Sequence, residues 1–337
     1  MTTSRYAVAS APAKVILFGE HFVVYGVPAL VAAIDLRAEA LLAEREDGLI
    51  YIGAPDLGLA GYFDAEGSFR PEEGGKEAEG ALRPIFVAVR EIWRALKARP
   101  SGVNVEVRSR IPVAAGLGSS AAVAVSAAAA ASWLSAGRLE EELIFKAALE
   151  AEKLIHITPS GVDPAISTYG GLIAYKKGEG IRRLEIGAHL ELVVGDTGLK
   201  RSTGALVAAV RALKDRRPGL FSKLLEAAEE LVDEALGALK EGNLRALGEL
   251  MDISHGLLAS IGVSNAALER LVHAARRAGA LGAKLTGAGG GGCMIALVEP
   301  GKGREVAKAI EEAGGRAFLA AVSEEGVRIE RAGPSGA

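Results

Sequence analysis

From Ile111 to Gly137 the chain carries no charge: IPVAAGLGSSAAVAVSAAAAASWLSAG. The run is long enough to cross a bilayer. Alanine dominates it, serines recur in it, and Pro112, Gly116 and Gly118 break its front end. Helix is therefore confined to the part from about Ser119 onward, and it reads as a helix buried in a globular core rather than a membrane span. Just before it, VNVEVRSRIPV from Val103 alternates apolar and polar residues, the pattern of a half-buried strand ending near Val113. Strand, glycine loop and helix in that order aim backbone N–H groups and a positive helix end at one point, which suits an anion without any side-chain charge. The run is not a Walker loop, because no Lys follows its glycines. The other reading is a tight turn with Ser119 as an ordinary N-cap.

Around this feature, 337 residues supply core material for two domains or one large one. A net charge of −3 offers no basic surface for nucleic acid or anionic lipid. The single cysteine, Cys293, excludes an internal disulfide and reads as a buried small hydrophobe in GGCMIALV. No signal-peptide pattern opens the chain, so a cytoplasmic protein is expected. Glutamine is absent and charged residues are common, a bias shared by proteins of hot environments and by genomes of skewed base composition.

Residues 5 to 18 and 27 to 44 read as strands, and 53 to 80, rich in Gly, Glu and Asp, as a loop excursion with little structure of its own. Residues 81 to 98 form a helical face ended by Pro100 to Gly102, and a further helix covers about 139 to 155. HITPSGVDPAISTYGG is loop-like, GLIAYKKGEGIRRLEI a hairpin and HLELVVGDTG a strand. Helices follow at 217 to 241, 243 to 260, 265 to 279 and near 303 to 314, and then a strand pair, AFLAAVS and GVRIER. An α+β chain of two domains fits, with a boundary near residue 187.

Two more stretches carry chemistry. KLTGAGGGGCMIALV contains a formal GxGxxG at Gly287, Gly289 and Gly292, but a strand follows where a dinucleotide fingerprint needs a helix. Its glycines either pack against backbone or close over a ligand. APAKVILFGEHFVVYG puts Lys14, Glu20 and His21 around one apolar strand. Lys14 there is either paired or a strand-end residue reaching solvent. Glu152 and Asp163 lie either side of a PSG turn; one could be a solvated helix residue and the other a turn-former, and spacing alone does not choose.

Together PVAAGLGSSAA, APAKVILFGEHFVVYG and KLTGAGGGG resemble the three motifs of the GHMP kinases, and HITPSGVDPAISTYGG, DTGLKRSTGALVAAV and MDISHGLLASIGVS resemble the branch that phosphorylates mevalonate. The resemblance spans about residues 9 to 298. It implies an N-terminal domain like domain 2 of ribosomal protein S5, over residues 1–187, and a ferredoxin-like C-terminal domain, over 188–331. It also implies transfer of phosphate from ATP, with Mg²⁺, to the primary hydroxyl of mevalonate. Asp163 would accept the hydroxyl proton, with Lys14 beside it stabilising the alkoxide. Ser120 and Glu152 would hold Mg²⁺. Pro112, Val113, Ala114, Ala115, Gly116, Leu117, Gly118, Ser119 and Ser120 would wrap the ATP phosphates, and Glu20, His21 and Thr203 would hold mevalonate. A homodimer is a further implication, with no residue marking its interface. Ile157 and Thr158 depart from the family pattern. An acceptor that already bears a phosphate would call for extra basic residues such as Lys200 and Arg201. A silent nucleotide-binding regulator on the same fold would need no base.

Overall fold

The computed structural model describes residues 5–98, 102–112, 115–155, 159–200 and 202–334. Two long strands, β1 (Arg5–Phe18) and β2 (Ala29–Glu44), pair antiparallel and form the spine of the first sheet. The segment 53 to 80, expected to lack structure, instead holds the end of β3 (Ile50–Ala54), all of β4 (Leu59–Phe63) and β5 (Phe69–Glu73), and the start of the first helix. Their charge density concealed them. The outermost strand, β5, exposes Arg70, Pro71, Glu72 and Glu73 in a row, while Ile52, Ala60 and Phe63 of the two inner strands turn inward. Phe63 stacks at 4.5 Å on Phe86 of α1 (Glu77–Ala95).

β6 (Val103–Ser109) leads into α2 (Ser119–Ala136), the buried alanine helix. It packs on β1 and β2, where Ala7, Ala9, Ala11 and Ala13 are fully buried with Ala127, Ala128 and Ala129 of the helix. Small side chains on both partners let helix and sheet approach closely. α2 has the length and hydropathy of a span, but 67% of it is buried inside the protein.

α3 (Glu141–Glu152) follows, and then α4 (Val162–Tyr169), inside the stretch expected to be a loop. Its punctuation marks helix ends rather than loop. Gly161 is the N-cap, Pro164 falls in the first turn where its missing N–H costs nothing, and Gly170 is the C-cap. The expected hairpin is present as β7 (Leu172–Lys176) and β8 (Gly180–Leu184). The first sheet has the order β13-β1-β2-β6-β3-β4-β5, where β13 is Arg328–Pro334 near the end of the chain, with β7 and β8 branching from β2.

The second sheet starts at β9 (Glu191–Asp196). An unforeseen helix, α5 (Thr203–Arg216), buries only Val210 and so carries little apolar periodicity to read. α6 (Pro218–Glu241), α7 (Leu244–Ser260) and α8 (Ala266–Arg277) match expectation. β10 (Gly282–Leu285), β11 (Cys293–Val298), α9 (Gly303–Glu312) and β12 (Arg316–Ala321) complete an antiparallel sheet of order β10-β11-β9-β12, the ferredoxin-like arrangement.

β13 (Arg328–Pro334) does not pair with β12 as expected; it returns to the first sheet beside β1. The crossover is sewn down by backbone bonds: Ser323 N–H donates to Ala33 O at 2.9 Å, and Val327 N–H to Thr168 O at 3.0 Å. A Cβ on Gly326 would lie 2.1 Å from Thr168 O, so only glycine fits against the end of α4. α4 is thereby clamped at its C-terminal end.

Candidate active site

A cavity of about 500 Å³ opens where the end of β1, the start of α2, the end of α3 and the start of α4 converge, with the 287–288 loop and α5 on the far side. Each wall has a local cause. Strand alternation sends Ala13, Val15 and Leu17 into the core and Lys14 and Ile16 into the cavity. The isolated cation read from the sequence is the paired one: Lys14 Nζ lies 3.3 Å from Asp163 Oδ1. Asp163 sits in the first turn of α4, which docks through Val162 and Ile166 onto Ala29, Val31, Ala33 and Ile173. The Ser167 hydroxyl donates to Pro12 O (2.9 Å), tying α4 to the strand that carries Lys14.

Of the glycine loop, Pro112, Gly116, Gly118, Ser119 and Ser120 line the cavity. Ala115 and Leu117 point into the core instead, so their share in a ligand cradle is backbone only. Val113 and Ala114 lie outside the described residues. Lys14 N–H donates to Leu117 O at 2.9 Å, fastening the loop to β1. Gly118 has φ +73°, and a Cβ there would stand 2.9 Å from Lys14 Cγ and 3.6 Å from Asp163 Oδ2. Glycine is thus what lets the N-terminus of α2 meet the Lys14–Asp163 pair. The N-cap, Gly118, has no side chain to cap that helix end, and its first N–H groups suit an anion.

Glu152 ends α3 and lines the same cavity. Burial, reinforced by the negative charge of Asp163 and opposed by Lys14, pushes its carboxyl up to about 7. Its Oε2 is buried and has no hydrogen-bond partner among the described residues. A carboxyl whose folded pKa exceeds its unfolded value favours the folded state fully below about 4.5, and that contribution is lost as pH rises through about 7. Glu152→Gln is therefore expected to raise the thermal midpoint above pH 7 in a chelator, with the gain fading toward pH 4.5. A pH-independent difference in melting would remove the buried carboxylate as its cause.

Glu20 and His21 form the opposite wall, 2% and 7% exposed. His21 adopts φ 59°, a strained setting for a non-glycine residue, and its Nε2–H donates to Ala288 O at 2.8 Å. Glu20 is ion-paired with Lys284 of β10, a partner the sequence reading missed. Thr203 opens α5 and borders the cavity from its exposed side. Lys200 is exposed and is not among the lining residues, while Arg201, Ile157 and Thr158 lie outside the described residues.

The GHMP kinase N-terminal domain model matches residues 84–171 and the GHMP kinase C-terminal model residues 235–316. A mevalonate kinase of Pyrococcus abyssi is 46% identical over 334 residues, covering 97% of this chain and 98% of the relative. The chain belongs to the GHMP kinases. A mevalonate kinase of Aeropyrum pernix is 38% identical over 97% of this chain and 99% of its own. Among solved structures, L. major mevalonate kinase in complex with R-mevalonate superposes with a TM-score of 0.82 at 30% identity, covering 97% of this chain and 98% of that one. As a GHMP kinase, the chain places its glycine loop and both carboxylates in the half matched by the N-terminal model. Lys284 falls in the half matched by the C-terminal one.

Proposed function

We propose that this GHMP kinase transfers the γ-phosphoryl group of ATP to the primary hydroxyl of mevalonate, giving 5-phosphomevalonate. The observation that carries the reading is the Lys14–Asp163 pair, 3.3 Å apart, directly under the uncapped N-terminus of α2. The near full-length relatives named mevalonate kinase supply the acceptor. Phosphoryl transfer needs positioning, charge stabilisation and a proton acceptor. The loop from Pro112 to Ser120 and the α2 helix end cradle the phosphates. Beside them a second cavity of about 290 Å³ shares Ser119 and Ser120 with the first; Leu57, Leu82, Ile85 and Val107 suit the faces of a nucleobase, and Asp56 and Ser109 its polar edge.

Asp163 takes the proton from the attacking hydroxyl, and Lys14 faces the alkoxide that develops. Glu20, His21 and Thr203 orient the rest of the acceptor. Glu152 and Ser120 fit Mg²⁺: Glu152 offers a hard oxygen without a partner, and Ser120 an exposed hydroxyl at the phosphate end. When bound there, the ion neutralises charge on the phosphate oxygens. Residues 1–187, which supply every strand of the first sheet but β13, then carry the nucleotide and the base, and 188–331 closes the acceptor end. A cytoplasmic setting accords with one buried cysteine.

The deciding experiment is ADP release by the purified chain with Mg-ATP and mevalonate, phosphomevalonate, homoserine, galactose or no acceptor. Turnover is expected with mevalonate. Turnover confined to another acceptor would overturn the substrate and keep the kinase. Silence across the panel with ATP still bound would favour a nucleotide-binding regulator.

A further inference from the structure

Three contacts leave the 284–288 segment at alternate residues and reach the end of β1 and the turn after it. Lys284 Nζ donates to Glu20 Oε1. The Thr286 hydroxyl accepts from Ile16 N–H and donates to Ile16 O, both at 3.0 Å. Ala288 O accepts from His21. Lys284 and Thr286, two residues apart, send their side chains to the same side, and Ala288 adds a backbone carbonyl from the turn that follows β10. The segment thus sets the position of the strand that carries Lys14 as well as the acceptor wall.

Within this row the ion pair stands apart. Lys284 and Glu20 side chains are 0% and 1% exposed, and a second Lys284 proton goes to Leu285 O at 2.8 Å. Burial alone makes the pair weak evidence for a stabilising role, since replacing a buried ion pair by apolar residues is often neutral or stabilising. Glu20 engages Lys284 with Oε1 only; Oε2 is buried, has no hydrogen-bond partner among the described residues, and belongs to a residue that lines the cavity. A carboxylate oxygen stripped of water in this way needs a donor.

We propose that Lys284 is a positioning residue that sets acceptor specificity: it holds Glu20 with Oε1 engaged, leaving Oε2 to accept a hydrogen bond from an acceptor hydroxyl other than the one phosphorylated. The inference rests on the kinase reading above and deepens it. With Lys284 held against Oε1, the remaining oxygen of Glu20 presents lone pairs only. A hydroxyl satisfies them, whereas a phosphate oxygen, an acceptor itself, does not. Glu20 follows β1 of the first sheet and Lys284 lies in β10 of the second, so the acceptor pocket is complete only when the two are docked.

The test is steady-state kinetics of the full chain, varying acceptor and ATP separately, for Lys284→Met, Glu20→Gln and the double variant. Each single change is expected to raise the acceptor KM by on the order of 10–100-fold, the loss of a hydrogen bond to a charged group. ATP KM should stay unchanged, and the double variant should be no worse than the poorer single one. A merely structural strut would instead move both constants together. A folded Lys284→Met with wild-type acceptor KM, or additive effects in the double variant, would overturn the proposal. If Lys284→Met does not fold, the double variant, which removes both buried charges, takes its place. Wild-type acceptor KM there refutes the pair's role, and a raised one with ATP unaffected supports it. If the wild type phosphorylates a different acceptor of the panel, the mevalonate reading falls and the same constants are read with that acceptor. Where turnover is absent, calorimetric binding of mevalonate to wild type and variants reports the same ratio.

Discussion

Asp163→Asn is expected to lower turnover by on the order of 10²–10⁴-fold, the usual contribution of a positioned general base. Asparagine keeps the volume and the place in the first turn of α4 but cannot take a proton from the acceptor hydroxyl. The fold should survive, because α4 is anchored by Val162, Ile166 and Ser167 and by the crossover at Val327, none of which the change touches. ATP binding should survive with it. The substitution also removes a negative charge that raises the Glu152 carboxyl, so Glu152 should titrate lower in the variant. Turnover near the wild-type rate with an intact fold would strip Asp163 of the role.

The second large effect is expected from Lys14→Met, about 10²–10³-fold in kcat, comparable to losing one preorganised donor at a developing oxyanion. Methionine retains an unbranched stem. That matters because the Lys14 stem is what a Cβ on Gly118 would strike, at 2.9 Å. The phosphate loop therefore keeps its support, and its bond from Lys14 N–H to Leu117 O is backbone and unchanged. The loss should fall on kcat with little change in the ATP KM. A variant that weakened ATP binding while leaving kcat alone would place Lys14 on the nucleotide rather than at the reacting hydroxyl.

Much of the fold was legible wherever one face of an element meets the core. β1, β2, β6, α2 and the β7–β8 hairpin all carry clear periodicity or turn residues, and each lies close to where it was read. Two kinds of element escaped. β5 and α5 expose most of their surface, so composition there reports solvent and not structure, and the short β3 and β4 are set among charged and glycine-rich turns. α4 was hidden by its own punctuation, since Gly161, Pro164 and Gly170 are the residues of both a loop and a short capped helix. The strand pair failed for a different reason: nothing local tells AFLAAVS and GVRIER that they belong to different sheets. The same limit hid Lys284, an isolated lysine in an apolar stretch, while its partner Glu20 was singled out 264 positions away.

What the sequence by itself determined is local. A half-buried strand, two spaced glycines and an alanine helix make a backbone cradle whose N–H groups need no distant partner, and alternation along β1 turns Lys14 away from the core. What only the tertiary structure decided is which charges meet. Lys14 and Asp163 at 3.3 Å, Glu152 beside them with an open oxygen, and the Glu20–Lys284 pair across two sheets all depend on how helices and sheets dock. Docking is set by the summed packing of many small side chains, and no spacing along the chain encodes it.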